Sequence, residues 1–118
     1  MTFDKKDLLA RIDDVESLEF LASMIRFKSY SGTPGEADLA RFMVEQMQAM
    51  GLDAGLQNVE SKRYNAIGTL NGIGSGRSLM FNGHMDTNPA TDDWTIDPRG
   101  GHYDDKFFYG HGEAKKKS

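Results

Sequence analysis

His84 and Asp86 stand two residues apart where the apolar run Leu79-Met80-Phe81 passes through Asn82-Gly83 into polar sequence. In extended backbone, residues i and i+2 face the same way. One ring nitrogen of His84 can then meet a metal ion while the other donates a hydrogen bond to Asp86, which fixes the tautomer and makes the imidazole more basic. Strand ends at the carboxyl edge of an α/β sheet are where such groups collect. The plain alternative is a histidine in a polar loop beside an unrelated aspartate.

The neighbourhood favours cations. From Asp86 to Asp105 there are six aspartates (86, 92, 93, 97, 104 and 105) against one basic residue, Arg99. Asp92-Asp93 and Asp104-Asp105 read as turn and cap residues in solvent. Trp94, close before Asp97-Pro98, reads as a packed loop anchor, with a substrate contact as the alternative. His102 and His111 have no periodic partner and read as ordinary residues. The chain has no Cys, which removes disulfides, thiolate zinc sites and thiol nucleophiles together and leaves His, Asp and Glu as metal ligands. Gly72-Ile73-Gly74-Ser75-Gly76 suggests a phosphate loop, but that use needs a helix to open directly afterwards. Arg77-Ser78-Leu79-Met80-Phe81 reads as a strand instead, so the glycines predict a hairpin turn.

The elements that must position these groups are helices first and strands later. Val15, Leu18, Leu21, Ala22 and Ile25 recur at helical spacing and predict a helix from Asp14 to Phe27, with Glu16 and Glu19 in its first turns. Thr33-Pro34-Gly35-Glu36 predicts a second helix start, with a capping hydroxyl, Pro at the first position and Glu three residues after the cap. Its predicted buried stripe is Ala37, Ala40, Met43, Val44, Met47 and Met50, and Gly51 is the stop. Beyond Gly51 the pattern shortens, and nine of the 13 glycines fall at or after Gly68. Strands are predicted at Leu52–Gln57, Tyr64–Leu70 and Ser78–Phe81, with a hairpin from Gly101 to Tyr109 turning at Asp104-Asp105-Lys106. The expected class is α/β, two amino-terminal helices packed on a partial mixed sheet.

The chain of 118 residues carries 14 Lys+Arg against 18 Asp+Glu, a formal charge of −4. One mildly acidic domain is the expectation. Phosphate binding needs clustered cations, and the one basic cluster is Lys115-Lys116-Lys117, so no nucleic-acid partner is expected. The first residues are too charged for a secretory leader, and no apolar run reaches the ~18 residues of a membrane span. A cytoplasmic location without membrane partners is the default.

Together these segments resemble the di-zinc aminoacylase and carboxypeptidase family, which includes acetylornithine deacetylase and succinyl-diaminopimelate desuccinylase. The resemblance covers most of the chain. It rests on Ser31-Gly32-Thr33-Pro34-Gly35-Glu36, Tyr64-Asn65-Ala66-Ile67-Gly68, Asn82-Gly83-His84-Met85-Asp86-Thr87-Asn88-Pro89, Trp94-Thr95-Ile96-Asp97-Pro98 and Tyr109-Gly110-His111-Gly112, in that order. It implies that His84 binds one metal and that Asp86 is the catalytic residue steadying it. It also implies two zinc ions (cobalt or manganese in some members) sharing a water, whose pKa a metal can lower to about 7, and a substrate that is a small acylated amino acid or peptide.

The resemblance also implies an Asp bridging both metals where this chain has Lys115, and further carboxylate and His ligands that do not follow before Ser118. Residues 1–118 are therefore expected to be the amino-terminal, incomplete portion of a di-zinc exopeptidase-type catalytic domain, inactive alone and with no tightly held metal. A substitute site from His84, Asp86, His111 and Glu113 would require Tyr109 to Glu113 to fold back onto the strand end. Residues 115–118 read as an atypical Lys-rich tail from a frame change or an artificial terminus, or as a plain solvating tail. The rival expectation is a non-enzymatic binding or oligomerisation module that keeps the scaffold and pairs through an open sheet edge.

Overall fold

In a computed structural model, residues 2 and 4–111 are described; the expected Lys-rich tail and Glu113 lie outside them. The elements in chain order are α1 (Lys5–Leu9), α2 (Asp14–Ile25), α3 (Pro34–Ala49), β1 (Asp53–Glu60), β2 (Arg63–Thr69), β3 (His102–Tyr103) and β4 (Phe108–Tyr109). The class is mixed α and β. The chain divides into two compact units, Phe27–Pro89 and Met1–Arg26 with Ala90–Ser118.

In the Phe27–Pro89 unit, α3 packs across both strands of an antiparallel hairpin. Ala37, Leu39, Ala40 and Val44 are buried, and removing a side chain such as Leu39 from water contributes about 1.5–3 kcal/mol. The predicted stripe needs two changes. Leu39 joins it, and Met50 leaves it, 59% exposed, because Gly51 (φ 88°) turns the chain at the helix end in a conformation that favours glycine. Gly35 answers to a different demand. A side chain there would strike the Lys28 carbonyl, so only glycine lets the segment before Ser29 lie this close to the start of α3.

Strands β1 and β2 pair from Asp53↔Thr69 to Glu60↔Arg63. A two-residue turn, Ser61-Lys62, joins them, and Lys62 adopts φ 59°. The predicted strands at Leu52–Gln57 and Tyr64–Leu70 are thus present, with β1 running three residues further. Cross-strand partners Asn65 and Gln57 bond side chain to side chain at 3.0 Å, and Gln48 of α3 donates to the Ala54 carbonyl at 3.0 Å.

The strand expected at Ser78–Phe81 does not form. Residues 70–86 lie outside helix and strand, and Leu79, Met80 and Phe81 are 80%, 80% and 88% exposed. β-propensity describes how a residue fits a pleated, half-buried surface, and this segment meets no such surface within its unit. Gly72–Gly76 accordingly makes bends and no hairpin turn. The partial mixed sheet is likewise replaced by two separate two-stranded antiparallel sheets. The parallel pairing among the described residues is the single bridge Tyr30↔Thr87.

In the other unit, Asp4 and Asp13 cap α1 and α2, each accepting from a backbone N–H, of Lys6 at 3.1 Å and Glu16 at 3.0 Å. Ala22 and Ile25 are buried, whereas Val15 of the expected stripe is 63% exposed. The predicted hairpin over Gly101–Tyr109 is present as β3 and β4, paired His102↔Tyr109 and Tyr103↔Phe108.

Candidate functional site

The segment Met85–Thr87 is hung on the turn that precedes α3. Thr87 N–H donates to the Ser29 carbonyl at 2.8 Å, and Ser31 N–H donates to the Thr87 carbonyl at 3.0 Å. The Ser29 hydroxyl donates to the Met85 carbonyl at 2.9 Å. Ser29 is 2% exposed, so its hydroxyl is a buried donor that would be costly to leave unpaired.

This clasp holds the backbone at Met85 and Thr87, on either side of Asp86 and next to His84, the two residues singled out by spacing. His84 Nδ1 lies 2.9 Å from the Asp86 backbone oxygen and 3.3 Å from Asp86 Oδ1. Both neighbours are acceptors, which makes Nδ1 the protonated nitrogen of the neutral ring and leaves Nε2 with the lone pair. The contact differs from expectation in one respect: the shorter approach is to the carbonyl of Asp86, with the carboxylate 0.4 Å further (3.3 − 2.9). The side chains are 61% and 40% exposed. An outward imidazole with a fixed tautomer can donate one lone pair to a cation or exchange one proton with a ligand.

A catalytic zinc centre takes three protein ligands and an open position. Among the described residues no group of three or more His, Asp or Glu side chains comes together, so they do not build that centre, and the substitute site also needs Glu113, outside those residues. Three of the five aspartates beyond Asp86 are taken up by local structure. Asp104 Oδ1 accepts from Lys106 and Phe107 N–H, both at 2.8 Å, and Asp104 Oδ2 accepts from the Tyr109 hydroxyl at 2.8 Å. The two backbone N–H groups, then the phenol, hold the Asp104 carboxyl below the usual carboxylate range. Asp97 accepts from Arg99 N–H at 2.9 Å, and Asp93 accepts from the Thr91 hydroxyl, which lowers the Asp93 pKa. Trp94 packs edge-on to His111, centroids 6.0 Å apart, in keeping with a loop anchor.

One polar constellation escapes the sequence reading. Arg63, first residue of β2, donates from Nε to Glu36 Oε1 at 2.8 Å and from Nη2 to Glu36 Oε2 at 3.0 Å, a fork on one carboxylate. Glu36 Oε2 also accepts from Gly32 N–H at 3.1 Å, and Arg63 Nη2 reaches Ser31 Oγ at 3.3 Å. Arg63 first, helped by Gly32, holds the Glu36 carboxyl below its ordinary range against a burial that pushes it up. Glu36 was expected to complete a capping box with Thr33. Instead the Thr33 hydroxyl donates to the Tyr30 carbonyl at 2.6 Å and makes no cap bond; the Glu36 N–H donates to the Thr33 carbonyl at 3.1 Å, and the Glu36 carboxylate is taken by Arg63 and Gly32. A pair 27 residues apart leaves no periodic trace; the available signal was an acid in a first helical turn that is also flanked by apolar core positions.

No family model matches the chain, and no solved structure matches it.

Proposed function

We propose that this chain carries the amino-terminal part of the catalytic domain of a metal-dependent hydrolase of acyl-amino bonds, with His84 as a metal-directed imidazole and Asp86 as the residue that steadies it. The observation that carries the reading is the His84–Asp86 contact, in which two acceptors face Nδ1 and Nε2 is left to offer its lone pair to a metal. The family resemblance supplies zinc as the metal, with cobalt or manganese as substitutes, and an N-acylated amino acid or peptide as the substrate class. One imidazole is one ligand of the three that such a centre takes, and on this reading the chain alone is expected to be inactive. Purified chain is expected to hold well below one equivalent of zinc and to release neither acetate nor amino acid from N-acetylated substrates. Tight stoichiometric zinc together with turnover refutes this.

A second reading is favoured by the exposed run Leu79-Met80-Phe81: a non-enzymatic module that associates through unpaired strand-forming sequence. A defined oligomer in size-exclusion chromatography supports it, and a monomer or polydisperse aggregate argues against it. No helix among the described residues is long and apolar enough to cross a membrane.

A further inference from the structure

Among the described residues, two polar side chains are buried, Ser29 at 2% and Glu36 at 6% exposure. Burying a polar group is costly unless it is hydrogen-bonded, and burying a charge more so. Both lie at one turn and both are fully engaged. Glu36 grips Arg63 and the Gly32 N–H, and Arg63 reaches the Ser31 hydroxyl. Ser31 then turns its backbone N–H to the Thr87 carbonyl, while Ser29 takes the Thr87 N–H on its carbonyl and gives its hydroxyl to Met85. The chain of contacts runs from the head of β2 to Met85 and Thr87, on both sides of Asp86 and next to His84.

We propose that Glu36 and Arg63 are positioning residues for the His84–Asp86 pair: their ion pair fixes the Ser29–Gly32 turn, and that turn fixes the backbone that aims the imidazole. The coupling stands on these contacts, whereas its importance for chemistry rests on the metal-directed reading of His84. The pair's bonds go to the turn, at the Gly32 N–H and the Ser31 hydroxyl, so it acts through that turn. A guanidinium fork is needed here, since a lysine ammonium is a point charge that cannot bind both carboxylate oxygens and Ser31 in one plane.

The test uses the full chain with 15N-labelled histidine, the His84 signals assigned by loss in His84→Gln. In the wild type, His84 is expected as the Nδ1–H tautomer and the Thr87 amide as protected from exchange. In Glu36→Gln and in Arg63→Lys, the ring is expected to shift toward the Nε2–H tautomer usual for an unconstrained imidazole. Thr87 is expected to exchange about tenfold faster or more, the scale of a lost buried hydrogen-bonded contact, while the β1–β2 amides keep their protection. An unchanged tautomer and unchanged Thr87 exchange in both variants overturn the proposal. Loss of Thr87 and β1–β2 protection together in both also overturns it, because the pair is then merely structural. Zinc titration of the wild type separates the two readings. No zinc-induced change at His84 removes the metal-directed reading and leaves the positioning role standing.

Discussion

Hairpin β1–β2 pairs eight residues with seven beneath a helix, whereas β3–β4 pairs two with two. The first is held by apolar burial along α3. The second is held by the Asp104 carboxylate, which gathers two backbone N–H groups and the Tyr109 hydroxyl, by the Tyr103 hydroxyl donating to Glu19 at 3.2 Å, and by the stack of Tyr103 on Phe108 at 5.6 Å. A two-stranded hairpin alone is marginal in water. The difference teaches that a long hairpin depends on what covers it and a short one on what fills its turn.

The largest effect is expected from the cover. Leu39→Ala removes a side chain that is 3% exposed and should cost about 3 kcal/mol, a large share of the stability of a small unit. Urea unfolding followed by β1–β2 amide exchange checks it; a shift in midpoint below a third of that would mean that α3 is not the main support.

Next comes the turn. Asp104→Ala should abolish the close contacts between Tyr103 and Phe108 in nuclear Overhauser spectra and leave β1–β2 protection untouched. If the stack survives, the aromatic pair and not the carboxylate holds β3–β4.

Acid and base should distinguish the hairpins further. Folding lowers the pKa of Asp104 and of Glu36, so the stabilisation from each is complete above the unfolded carboxylate range and is lost as pH falls through the folded value. Tyr109 is raised, first by its hydrogen bond to Asp104; its contribution is complete below the unfolded phenol range and is lost as pH rises toward the folded value. Hairpin β3–β4 should therefore weaken at both extremes, and the Glu36 contact in acid alone. Following the Tyr109 ring signals and the Arg63 Nε–H across pH decides this, and a symmetrical response of both would remove the distinction.

The smallest stability change is expected at Met80→Lys. A residue 80% exposed should alter unfolding by no more than about 0.5 kcal/mol, yet the added charge should reduce any self-association seen by light scattering. A larger loss of stability would show that residues 79–81 pack somewhere in solution.

Local punctuation was legible in the sequence. Pro34 and Gly51 bracket α3 as expected, and Asp104-Asp105-Lys106 marks the short hairpin, because these signals act within a few residues. The Ser78–Phe81 strand was misread because its composition reports a willingness to pair, not the presence of a partner. The five-residue α1 carries no apolar period to detect, only the Asp4 cap. At the candidate site, His84 and Asp86 lie close to each other, but in a segment outside any strand and with the shorter approach to the Asp86 carbonyl. Ser29, Glu36 and Arg63 did not declare themselves, since what joins them to Met85–Thr87 is tertiary contact across up to 58 positions (87 − 29).

The bridge between Tyr30 and Thr87 has a topological consequence. It closes a loop of 87 − 30 = 57 positions, and neighbouring strands lie about 4.8 Å apart, so the polypeptide enters and leaves the Phe27–Pro89 unit through one narrow gate. Ends this close together are what joining by a short linker and reopening at the exposed turn Ser61-Lys62 would require.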